Sequence, residues 1–112
     1  SMDSTTLPNM TATLLSKDLV VGSKFYIPFW ILLEFLDKTP PDPFIEVEII
    51  SIDVKYATGP NGPVEVYCCD LICDRKRQLI AHSIPADYLI APDDLREWAN
   101  KIANWFRDFD SI

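Results

Sequence analysis

The chain has 112 residues, 48% of them hydrophobic, which is material for one domain with one core. Its formal net charge of -7 argues against a nucleic-acid phosphate surface, because that binding mode needs Lys and Arg to replace counterions. Three cysteines without a CxxC pair, beside a single histidine, argue against a disulfide framework and against the usual tetrahedral zinc site.

Ser1-Met2 reads as the remnant of a cleaved tag. Residues 1–16 are rich in Ser and Thr, contain Pro8 and keep no period, so a flexible N-terminal arm is expected, with Leu14 and Leu15 placed to tuck against the core. Leu19 to Ile27 reads as the first strand, with Gly22 marking a bend or bulge. The run Pro28 to Lys38 is nearly all apolar at first, so periodicity leaves a buried strand and a short helix opened by Pro28 both open. Ile27 to Leu36 is too short to span a bilayer and is interrupted by Glu34. With no secretory signal and Cys68, Cys69 and Cys73 read as reduced, partly buried thiols, the expectation is an intracellular protein of nucleus or cytoplasm, off the membrane.

Asp37 to Pro43, with three prolines, is a loop. In the next strand, Phe44 to Tyr56, the apolar set runs Ile45, Val47, Ile49 and then shifts phase to Ile50, Ile52, Val54. Successive strand side chains point to opposite faces, so a bulge near Ile49-Ile50 is needed to bring all six inside, and it bends the strand sharply. Gly59 to Pro63 reverses the chain. Val64 to Cys73 follows as a strand apolar on both sides, hence central or carrying a binding face. Asp74-Arg75-Lys76-Arg77 is a solvated turn, Gln78 to Ile84 another strand, and Pro85-Ala86-Asp87 breaks it before Tyr88-Leu89-Ile90.

The last segment is the clearest helix. Pro92-Asp93-Asp94 supplies its start, with acidic charge at the positive end of the dipole. Leu95, Trp98, Ile102, Trp105, Phe106 and Phe109 then form one apolar stripe. This stripe either closes the open end of a barrel or docks on another chain or a second copy.

No catalytic constellation is apparent. His82 sits mid-strand, the glycines fit bends and turns, and Cys68 and Cys69 lack a basic neighbour to lower their pKa. The chain is therefore read as non-enzymatic, with no cofactor and no metal.

The segments VGSKF, EIISIDVK, VEVY and PADYLIAP resemble the successive strands of a Tudor domain of the survival-motor-neuron type, over about Val20 to Pro92. The resemblance implies a small bent antiparallel SH3-like barrel that grips methylated arginine or lysine in an aromatic cage, as chromatin readers do. The physical basis is a cation over π faces, worth about 0.5–2 kcal/mol per contact. Carried over by position, the cage walls fall on Phe29 or Trp30, on Ile45 with Phe44 beside it, on Tyr67, and on Asp70, where the family has an aromatic.

The expected fold is thus all-β with a C-terminal helix: an arm over 1–16, a Tudor-like barrel over 17–92, and an amphipathic helix over 93–112 packed on the barrel. The expected function is peptide recognition through Phe29, Trp30, Phe44, Tyr67 and Asp70, the partner being a basic or methylated tail and the protein a monomer or weak homodimer. The alternative is an assembly domain that forms a subunit interface through the aromatic helix.

Overall fold

In a computed structural model, the structure describes residues 19–74 and 79–110. Four antiparallel strands, β1 (Lys24–Pro28), β2 (Phe44–Gly59), β3 (Gly62–Asp74) and β4 (Leu79–Pro85), follow one another in sheet order and curl into a half-barrel. The helix α1 (Leu95–Asp110) follows. Short 3-10 turns at Phe29–Phe35, Ala86–Tyr88 and Pro92–Asp94 connect the elements. The expected N-terminal arm lies outside the described residues, as do Arg75, Lys76, Arg77 and Gln78 of the charged turn and strand start.

The first strand is shorter than the sequence suggests. Gly22 adopts φ +93 and Ser23 donates its N–H to the Val20 carbonyl at 3.0 Å, so a tight turn occupies the place of the expected strand start. Only Gly takes that φ without a Cβ penalty, and regular pairing begins at Lys24. The apolar run Phe29–Phe35 is helical, of the tight 3-10 kind, and buries Leu32 fully. Pro28 at φ -61 presets its entry.

The phase jump in β2 is a bulge: the register with β3 shifts between Ile49 and Ser51. Its consequence is narrower than expected. Val47 and Ile49 are buried, Ile45 and Ile52 are half-buried against the core, Ile50 is half-buried at the bulge itself and Val54 is 40% exposed, so four of the six join the core and the last lies past its end. β2 and β3 are simply longer than their neighbours, and the hairpin tip projects beyond them. At the tip Gly59 has no room for a side chain: a Cβ there would meet Val64 Cγ2 at 2.6 Å and the Gly62 carbonyl at 2.9 Å.

Two apolar clusters hold the fold. The first takes residues from every strand: Phe25 and Ile27, Val47 and Ile49, Cys69 and Leu71, Ala81 and Ile84, with Leu32 and Leu89 at the ends. It fills the inside of the curl, as period-two alternation dictates. The second lies on the other side of β1, where Ile90, Trp98 and Ile102 pack with Tyr26, Trp30 and Phe44. The helix stripe is therefore used within the chain over its first half, and Trp98 is not open to a subunit interface. Further along, Phe106 is half exposed and stacks edge-on against Trp105 at 4.9 Å. The side chain of Phe109 lies outside the described set.

After β4, the chain returns to β1. Tyr26 and Ile90 exchange two backbone hydrogen bonds, 2.8 and 2.7 Å, on the edge of β1 that β2 leaves free.

Candidate functional site

The five residues expected to form a cage are not brought into one cluster. Trp30 and Phe44 meet under α1 in the second cluster, with Phe29 edge-on to Trp30 at 5.5 Å. Tyr67 packs against the first cluster, inside the curl. Asp70 lies on the outer face of β3, opposite Ser51.

Asp70 has a different task there. β4 places two residues, His82 and Ser83, opposite Asp70 alone, and Ser83 takes φ +54 in this bulge. That left-handed backbone is costly for a residue with a Cβ, and the carboxylate offsets it. Asp70 Oδ1 accepts the Ser83 N–H at 2.9 Å and Oδ2 accepts the Ser51 hydroxyl at 2.9 Å. His82 Nδ1 stands 3.7 Å from the same carboxylate, and Lys55 Nζ donates to Ser83 Oγ at 2.8 Å. These hydrogen bonds, the Ser83 N–H foremost, hold the Asp70 carboxyl below the usual aspartate range. His82 is largely exposed and stands edge-on to Phe35 at 6.5 Å.

A concave site does exist elsewhere. An open groove of about 870 Å³ runs between the proline-rich loop, at Leu36 and Lys38 to Pro41, and the adjoining ends of β2, β3 and β4. Ile45, Val47, Ile72, Cys73, Leu79 and Ile80 make its apolar floor, and Lys24, Lys38, Glu46 and Glu48 provide its charge. Glu46 is tethered by the Tyr26 hydroxyl, which donates to its Oε2 at 3.3 Å, and Glu48 stands across from Lys24 in the ladder. Of the five cage candidates none lines the groove.

Sequence reasoning missed this groove for a local reason. Consecutive apolar pairs, Ile72-Cys73 and Leu79-Ile80, break strict alternation, and register shifts at Ile72/Asp74 put both members of each pair along one concavity. Two adjacent apolar residues next to a proline-rich loop were the available signal.

Cys68, Cys69 and Cys73 are all buried. Burial, with the charges of Cys68 and Asp70, pushes the Cys69 thiol up to about 11, so it stays protonated at neutral pH. Among the described residues no group of His, Cys, Asp and Glu is arranged to hold a metal ion, and no helix is long and apolar enough to cross a membrane. Compared with protein-family models, with curated proteins and with solved structures, the chain matches none.

Proposed function

We propose that the chain is a non-enzymatic interaction module on an SH3-like, Tudor-like barrel, and that its groove holds an extended basic peptide. Two features support the barrel reading. The strand order follows the chain, and after the 3-10 turn at Ala86–Tyr88 the segment at Ile90 bonds back to β1, which brings the two ends of the sheet around toward each other.

The observation that carries the binding reading is the groove itself: an aliphatic floor bordered by Glu46 and Glu48 and by Lys24 and Lys38, in a chain of net charge -7. Sites of this size with an apolar lining and a few convergent polar groups are the default binding surface of a small domain. The acidic balance raises the local concentration of cationic partners, and the apolar floor accepts the alkyl stems of Lys or Arg. Trp30 and Phe44 lie under the helix and Tyr67 inside the curl, so the aromatics for enclosing a methylated cation are dispersed. An unmodified basic peptide is the reading this favours.

Fluorescence anisotropy with Lys- and Arg-rich peptides, methylated and unmodified, tests it. Binding that Ile80→Asp abolishes and that methylation does not strengthen is the expected result. Affinity that requires methylation and ignores Ile80→Asp would return the site to the aromatic residues.

A further inference from the structure

Among the described residues, the distal half of β2 has an open edge. β1 pairs only with Phe44 to Glu48, and the turn at Gly22-Ser23 reaches Ile49. Along that edge, from Ser51 to Thr58, no other described strand lies beside β2. In an antiparallel ladder, hydrogen-bonded and non-hydrogen-bonded pairs alternate. Pro63 has no N–H, which suits the pair Thr58–Pro63 to the non-bonded class. Counting back along the register, Tyr56, Val54 and Ile52 also belong to non-bonded pairs, so their N–H and C=O groups point outward. The side-chain geometry agrees: Asp53 Oδ1 accepts the Val54 N–H at 2.9 Å, so that N–H is turned away from β3.

We propose that two copies of the chain pair antiparallel through this edge, about a two-fold axis passing at Val54. The register is self-complementary on both faces of the sheet. On the core side, Val54 opposes the partner's Val54, and Ile52 opposes the partner's Tyr56, and the reverse. These include apolar side chains otherwise left in water, since Val54 is 40% and Tyr56 69% exposed. On the outer side, Asp53 stands opposite the partner's Lys55, and Lys55 opposite the partner's Asp53. Those are non-hydrogen-bonded pairs, the closer of the two kinds, so the opposite charges meet twice across the axis. A shift of one residue in register would align residues of unlike face, and the axis at Val54 avoids this.

Pairing exchanges two local bonds. The Val54 N–H leaves Asp53 for the partner's Val54 carbonyl, and the freed carboxylate turns to Lys55 of the other copy. Lys55 in turn releases Ser83 Oγ. The interface uses neither the groove nor the helix, so it stands apart from the peptide-binding reading.

Sedimentation equilibrium of the whole chain over a range of concentrations, with amide hydrogen exchange on the same samples, tests the proposal. The apparent mass should rise toward twice the monomer. Exchange should slow with concentration at Ile52, Val54 and Tyr56, and stay constant at Asp53 and Lys55. Asp53→Lys places like charges opposite each other and should weaken association roughly tenfold; adding Lys55→Asp to that variant should restore it. Val54→Pro removes the outward N–H and should abolish association while leaving the monomer's spectrum native. A chain that stays monomeric to about 1 mM, or a dimer unchanged by Asp53→Lys and Val54→Pro, overturns the pairing.

Discussion

The two halves of the β2–β3 hairpin share the same strands and turn chemistry yet differ in nearly every other respect. In the proximal half, Ile49 and Leu71 face each other with no exposed surface, and Cys69 beside them is equally dry. In the distal half, Val54, Tyr56 and Val64 remain 40–69% exposed. Apolar residues of β type fill both. What separates them is coverage: β1, β4 and the 3-10 turns wrap the proximal half, and the strands of the tip outrun those neighbours. Composition alone therefore does not distinguish core from surface in this chain; strand length relative to the neighbours does.

The largest effect that would sharpen this contrast is a core truncation. Leu71→Ala and Ile27→Ala should each cost about 2–5 kcal/mol in urea unfolding, because both side chains are fully buried in a packed cluster. Val54→Ala should change monomer stability by about 0.5 kcal/mol or less, as exposed positions do. Equal losses at both positions would erase the distinction. Trp98→Ala should cost about 3 kcal/mol and release α1 from the sheet, since its ring is the centre of the second cluster. Far-UV and near-UV circular dichroism would register the loss.

A smaller effect is expected at the outer-face bulge. Asp70→Asn should destabilise by about 1 kcal/mol, through the weakened bonds to Ser83 and Ser51. The pH dependence has a definite sign. Because the folded-state pKa of Asp70 lies below its unfolded value, its contribution is complete above the unfolded pKa and is lost as pH falls through the folded one. The difference between wild type and Asp70→Asn should therefore shrink in acid, measured by denaturation at a series of pH values. Ser83→Gly should relieve the φ +54 backbone and raise stability by up to about 1 kcal/mol, less what the Lys55 contact contributed. The smallest and cheapest observation concerns Cys69: a thiol reagent at neutral pH should leave it unlabelled in the native chain and react once urea unfolds it.

The bulge in β2 was legible because six aliphatic residues in one strand cannot change phase without one. The C-terminal helix was legible from its caps and its stripe. The 3-10 turn at Phe29–Phe35 was not, since a continuous apolar run carries no period. The Ser83 bulge left no trace, because the usual marker of a left-handed residue is Gly or Asn and here a carboxylate on the neighbouring strand stands in for it. The residues expected to form a cage lie apart for a related reason. Phe29, Trp30, Phe44 and Tyr67 are aromatic, but alternation and the return at Ile90 send them to opposite sides of the sheet. Asp70 instead accepts hydrogen bonds from the chain itself, from the Ser83 N–H and the Ser51 hydroxyl.

The most direct measurement is a methyl and aromatic NMR titration of the chain with an unmodified Lys- and Arg-rich peptide. Shifts should be confined to Leu36, Ile45, Ile72, Leu79 and Ile80 around the groove, with Trp30, Phe44 and Tyr67 unmoved. Shifts centred on those three aromatics, or no shifts at all, would contradict it.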